Sequence, residues 1–190
     1  MRIAVYGGSF NPVHVAHLLV ALYVRETQPI DELWFVPTYA HPFGKALAPY
    51  EDRVAMCELA AASVGAKVSR AEEELAHRPG FIASRTLDLV EHLAAQGHAL
   101  RLVIGTDILA ETHKWYRWDA VVALAPPIAI GRGGHAHAGT PGIAIDMPEL
   151  SSTRIRAMIA SGDASVSDLL PAAVLRYIAE RKLYAEQTKQ

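Results

Sequence analysis

The sequence predicts an α/β fold of the doubly wound, Rossmann-like kind: a parallel sheet with helices on both faces and a C-terminal helical segment. Three observations carry this. Short apolar runs recur at residues 3–6, 33–36, 100–104 and 128–130, without the polar alternation of a half-exposed strand. Between them lie longer stretches whose apolar residues repeat with helical spacing. The runs end in Gly7-Gly8, Pro37 and Gly105, which are residues that stop a strand and turn the chain.

Each element follows in order. Residues 3–6 read as a buried strand, and Gly7-Gly8 allow a sharp turn because neither carries a Cβ. Asn11-Pro12 ends the turn, with Pro12 or Val13 expected in the first turn of a helix. Leu18, Leu19, Ala21, Leu22 and Val24 suit a helix packed on a sheet, running to Gln28. The strand at 33–36 closes at Pro37, and a loop over 38–49 carries His41 and Lys45. A helix over 50–64 and a short strand over 66–70 precede a polar loop through Gly80. A helix over 81–96 leads to the strand at 100–104, which Gly105-Thr106-Asp107 terminates. A short helix, an aromatic cluster at 114–118 and a helix to Ala125 come next. The strand at 128–130 and a last one at 143–145 flank a flexible loop over 132–142. Helices open at Ser151 and at Pro171, the second reaching Tyr184.

Strands alternating with helices imply right-handed crossovers and a parallel sheet. Ligands of such sheets bind beyond the carboxyl ends of the strands. That rule puts Gly7-Gly8, Pro37-Thr38, Gly105-Asp107 and the chain after Ile130, including Arg132, on one rim.

With 190 residues, 51% of them hydrophobic, the chain can bury one substantial core. A single domain over 1–190 is expected, its C-terminal helical part at about 151–184 and its tail at 186–190 frayed. A net charge of −2 argues against a surface that coats nucleic acid, so any phosphate binding must be local. Cys57 sits alone in an apolar helical stretch and reads as core rather than nucleophile. There is no apolar run long enough to span a bilayer and no recognisable signal peptide, so a soluble cytoplasmic protein is expected. Composition leaves homo-oligomerisation open.

The first seventeen residues hold the most chemical information. A strand, a glycine pair and a helix start bearing His14 and His17 combine bare amides, a positive helix end and two imidazoles. That combination suits an anion, with the histidines donating to phosphate oxygens. As zinc ligands the pair would need a third, and spacing does not choose among His41, Asp107 and His113. Gly134-His135-Ala136-His137 reads as solvated. Ser151-Ser152-Thr153-Arg154-Ile155-Arg156 places hydroxyls, free amides and a guanidinium at another helix start.

Gly7-Gly8-Ser9-Phe10-Asn11-Pro12-Val13-His14-Val15-Ala16-His17 resembles the signature of the nucleotidyltransferase superfamily, with Ala16 where glycine is usual. Ser151-Ser152-Thr153…Arg156 resembles the superfamily motif that grips the β- and γ-phosphates, and Gly105-Thr106-Asp107 its ribose-side G-x-D. Several further stretches resemble the nicotinate-mononucleotide adenylyltransferase branch: Lys45, Thr86-Leu87, Lys114-Trp115…Trp118, and Leu170-Pro171…Val174…Tyr177-Ile178…Leu183-Tyr184. Two departures stand out: the residue before Lys45 is Gly44 instead of histidine, and Arg85 replaces a common acidic residue.

The resemblance implies ATP and a pyridine mononucleotide as substrates, pyrophosphate as leaving group, and Mg²⁺ bound with the nucleotide phosphates. It assigns catalysis to His14, His17 and Lys45. Nucleotide binding falls to Gly7, Gly8, Ser9, Phe10, Gly105, Asp107, Arg132, Ser151, Ser152, Thr153 and Arg156, and acceptor binding to Thr38, Thr86, Lys114 and Trp115. Two rivals share the fold: another acceptor or CTP in the same chemistry, and a non-catalytic nucleotide-binding regulator. An NAD-dependent oxidoreductase is disfavoured because no G-x-G-x-x-G follows the first strand.

Overall fold

The computed structural model describes residues 1–41, 44–109, 111–132, 143–147 and 150–185, with backbone alone at 107, 132 and 143–147. Six parallel strands are described: β1 (Arg2–Gly8), β2 (Glu32–Pro37), β3 (Lys67–Val68), β4 (Ala99–Gly105), β5 (Pro127–Arg132) and β6 (Ile143–Met147). Their order is β3-β2-β1-β4-β5-β6, so the winding reverses between β1 and β4. In-register pairs such as Gly7 with Val36 and Val5 with Leu102 align the carboxyl ends of the central strands.

Both faces are covered, as the apolar runs require. Helices α1 (Val15–Thr27), α2 (Tyr50–Val64), α7 (Ser152–Ala160) and α8 (Ala172–Arg181) share a core with Ala4, Phe35 and Val103. Helices α3 (Ala71–Ala76), α4 (Thr86–Ala95) and α6 (Trp118–Leu124) pack on the other face against Ile3, Val5 and Leu102. Successive strand residues thus serve opposite cores, each buried Val, Leu, Ile or Phe contributing about 1.5–3 kcal/mol. Cys57 lies in the first core, where burial pushes its thiol well above the ordinary range.

Four expectations are corrected. The glycines do not make the turn: both end β1, and the chain turns at Phe10 to Pro12, where Phe10 has φ 44°. Consequently the first helical residue is Val15, with His14 as its N-cap and His17 at the third position of its first turn. The stretch read as a polar loop before Gly80 contains α3, whose Ala71, Glu72 and Leu75 are buried. Helix α4 starts at Thr86, not Phe81, because the chain before it bonds sideways: Ser84 N–H donates to the Ala40 carbonyl (3.0 Å) and Ala40 N–H to Ser84 Oγ (3.1 Å). The final helix ends at Arg181, with Lys182 in the left-handed region. The tail from Glu186 and the histidines at 135 and 137 lie outside the described residues.

Candidate active site

A cleft of about 630 Å³ opens beyond the carboxyl ends of β1, β2, β4 and β5, where the winding reverses. Gly7, Gly8 and Ser9 line it from β1, Thr38 and His41 from the chain after β2, Gly105 from β4 and Ile130 from β5. His17 enters from α1, Thr86 from the start of α4, and Lys114 and Trp115 from the segment between α5 (Thr106–Leu109) and α6. The rim expected from the strand ends is therefore one surface. Asp107 and Arg132 belong to elements at this rim by backbone position, α5 and the end of β5.

The two glycines serve different ends. A Cβ on Gly8 would come within 3.1 Å of the Phe10 ring, whereas one on Gly7 would meet nothing within 4 Å. Gly8 lets Phe10 lie across the strand end, and Gly7 keeps the cleft floor open. Phe10 itself is core and does not line the cleft. Its ring meets Tyr6 (5.7 Å), Phe35 (5.2 Å) and His17 (5.0 Å) edge-on, which seats the His17 imidazole on an aromatic base.

His14 is only 1% exposed and lies behind His17, the rings stacked at 3.8 Å. The His14 backbone N–H donates to His17 Nδ1 at 3.1 Å. This is one half of a capping box, with histidine at the position usually held by Glu or Gln. It also fixes chemistry: Nδ1 must offer a lone pair, so the neutral ring carries its proton on Nε2.

Ser152 Oγ donates to the Pro12 carbonyl (2.9 Å), and Arg156 Nη1 donates to the Asn11 carbonyl (2.8 Å). Arg156 Nη2 also reaches Thr153 Oγ1 (3.3 Å), and Ser151 caps α7 by accepting from Arg154 N–H (3.2 Å). The late serine–arginine motif thus abuts the N-terminal turn, but Ser151, Ser152, Thr153 and Arg156 do not line the cleft as described. Lys45 is exposed and also off the cleft wall. Burial first, and the Lys45 charge second, hold His41 below the usual imidazole range.

On the opposite wall Trp115 and Trp118 meet edge to face at 5.4 Å, and Trp115 is the one at the cleft. The Arg85 guanidinium stands 4.8 Å over the Tyr116 ring, both lining the cleft. Lys114 Nζ lies 3.8 Å from Glu111.

Sequence reading missed the side chains that hold the turn from beneath. Arg53 is 1% exposed, donating through Nη1 to the Ser9 carbonyl and through Nε to the Ala48 carbonyl, both at 3.0 Å. Burial pulls its pKa below the usual guanidinium range. Glu72, buried, accepts from Tyr39 N–H (2.7 Å) and from the Ser84 hydroxyl, tying together the two loops that enter the cleft. The signal for Arg53 was a charged residue on the otherwise apolar face of α2; helical spacing alone does not distinguish it from a solvated one. Among the described residues no three histidine, cysteine or carboxylate side chains gather to hold a metal ion. Among them, too, no helix is long and apolar enough to cross a membrane.

The cytidylyltransferase-like family model matches residues 5–158. A relative from Anaeromyxobacter sp. (strain K), named probable nicotinate-nucleotide adenylyltransferase, is 52% identical over 186 residues, covering 96% of each chain. One of the same name from Myxococcus xanthus is 40% identical, covering 97% of this chain and 95% of its own. Among solved structures, the fold matches a nicotinic acid mononucleotide adenylyltransferase of Plasmodium falciparum with TM-score 0.78 at 20% identity, covering 96% of this chain and 97% of that one. The chain belongs to the nicotinate-nucleotide adenylyltransferases, within the cytidylyltransferase-like family of nucleotidyltransferases.

Proposed function

We propose that this enzyme joins ATP and nicotinate mononucleotide, giving nicotinate adenine dinucleotide and pyrophosphate in NAD biosynthesis, and that His17 is its central catalytic group. The observation that carries the assignment is the His14 N–H to His17 Nδ1 bond at 3.1 Å, in a ring that lines the cleft. It makes Nε2 a fixed donor for a phosphate oxygen.

The acceptor's phosphate oxygen attacks the α-phosphorus as the bond to the β-phosphate bridging oxygen breaks. The attacker is already an anion at neutral pH, so no general base is needed. Charge has to be positioned and stabilised instead. His17 Nε2–H donates to the α-phosphate, and His14 braces the ring from behind. Gly7, Gly8 and Ser9 bring backbone to the nucleotide, with Gly105, Asp107 and Arg132 toward its ribose and base. The start of α7 receives the leaving pyrophosphate: Ser152 and Arg156 brace the turn, and Arg156 spends two of its five N–H donors on Asn11 and Thr153. Lys45 acts as a cation from the loop. Thr38, Thr86, Lys114 and Trp115 hold the acceptor, the indole stacking on the pyridine.

Nucleotidyltransferases of this family use a divalent metal together with the nucleotide phosphates. The side chains at this cleft are mainly anion donors, so Mg²⁺ is taken to arrive as part of the ATP substrate, held by phosphate oxygens and neutralising their charge. A soluble enzyme of the cytoplasm fits these substrates.

Pyrophosphate release tests the reading, with ATP or CTP paired in turn with nicotinate mononucleotide, nicotinamide mononucleotide and phosphopantetheine. The fastest turnover should come from ATP with nicotinate mononucleotide. Activity with CTP but not ATP would overturn the nucleotide choice, and silence with every pair would leave a non-catalytic regulator.

A further inference from the structure

We propose that Tyr184 is a positioning residue for the transfer reaction, its hydroxyl setting the turn at Phe10 to Pro12 through the Asn11 side chain. The inference rests on the functional reading above and adds a residue to the same site.

Tyr184 Oη donates to Asn11 Oδ1 at 2.8 Å, across 173 positions of sequence. The same oxygen accepts from Ala48 N–H at 3.1 Å, on the segment that leads from the Lys45 loop into α2. The Asn11 side chain thereby joins three places: the signature turn, the approach to α2 and the C-terminal end. Its backbone carbonyl is held separately by Arg156 (2.8 Å), and the neighbouring Ser9 and Pro12 carbonyls by Arg53 (3.0 Å) and Ser152 (2.9 Å). Main-chain direction is thus set by three side chains, while the bonds described for the amide of Asn11 come from Tyr184 and Ala48.

The delivery of Tyr184 is itself built. Asp52, buried in the first turn of α2, accepts from Tyr177 Oη (2.8 Å) and Arg181 Nε (3.0 Å), pinning α8 beside the turn. Lys182 (φ 52°) and Tyr184 (φ 63°) then adopt left-handed backbone, which non-glycine residues hold only where their surroundings compel it. Phe10, the residue before Asn11, is also left-handed. A left-handed Tyr184 bonded to the residue that follows left-handed Phe10, whose ring seats His17, points to geometry being held for chemistry.

Displacement of a catalytic group by about 1 Å can cost about 10²-fold in rate. Tyr184→Phe removes one oxygen and keeps the ring. Steady-state kinetics with ATP and nicotinate mononucleotide should show kcat lowered about tenfold, with both KM values within about twofold of wild type. In an Asn11→Ala background the same change should cost nothing further, because the shared contact is already gone. A fall in melting temperature with kcat unchanged, or equal losses from Tyr184→Phe in both backgrounds, would show a merely structural tyrosine and overturn the proposal. Wild type that fails to release pyrophosphate would sink the functional reading and this inference together; active wild type indifferent to Tyr184→Phe sinks the inference alone.

Discussion

Arg156 donates to the main-chain carbonyl of Asn11 at 2.8 Å, joining segments 145 positions apart. With the Ser152–Pro12 bond at 2.9 Å, this contact makes the start of α7 the back wall of the N-terminal turn. Two stretches that each read as a phosphate site are therefore one neighbourhood, with His17 on its cleft side. The arrangement separates labour: Gly7, Gly8 and Ser9 line the cleft, while Arg53, Arg156 and Ser152 hold the carbonyls of Ser9, Asn11 and Pro12 from behind.

His17→Ala should lower kcat by about 10²-fold or more, the usual cost of losing one fixed transition-state donor. Pyrophosphate release, normalised to folded protein by circular dichroism, measures it. Near-normal turnover would remove His17 from the mechanism.

Much of this was legible in the sequence because it was local. The strand ends announced themselves by Gly7, Pro37 and Gly105, and four rim positions, Gly7, Gly8, Thr38 and Gly105, met as expected, since parallel winding leaves no other place for them. His17 was visible for the same reason. What was hidden depends on partners distant in sequence. Arg53 reads as an ordinary helix cation until Ser9 is seen beside it, and Glu72 vanishes into an acidic run until Ser84 and Tyr39 close over it. Phe10 misled in the opposite direction: it belongs to the signature, yet it is buried beneath the histidine and acts through packing.

Trp115→Ala should raise the KM for the pyridine mononucleotide about tenfold while leaving that for ATP within about twofold, since stacking on a ring is worth about 1–3 kcal/mol. Initial rates across both substrate concentrations separate the two constants. Equal losses for both substrates would place the indole elsewhere.

Arg85 lines the cleft with its guanidinium on Tyr116, close in sequence to Thr86, and with the acceptor held as proposed it would favour a pyridine that carries a carboxylate over one that carries an amide. Arg85→Gln should reduce kcat/KM for nicotinate mononucleotide about two- to five-fold, the range of an exposed ion pair, and leave the nicotinamide form unchanged. The ratio of the two efficiencies decides it. A parallel fall for both acceptors would mean that Arg85 shapes the wall without reading the carboxylate.

Glu72 makes a prediction about pH. Burial raises its pKa, opposed by the Ser84 hydroxyl, the Tyr39 amide and the Arg53 charge, so protonation is easier in the folded chain than in the unfolded one. A carboxyl with a raised pKa stabilises the fold below its ordinary titration range and loses that contribution as pH climbs through the raised value. Glu72→Gln keeps an oxygen that accepts from both Ser84 and Tyr39 but never ionises. Its melting temperature relative to wild type should therefore rise as the pH climbs above the ordinary carboxylate range, measured by thermal unfolding at several pH values. A difference that stays flat would show Glu72 titrating alike in both states. One that falls would show the ionised carboxylate, held by its donors and by Arg53, to be the form the fold prefers.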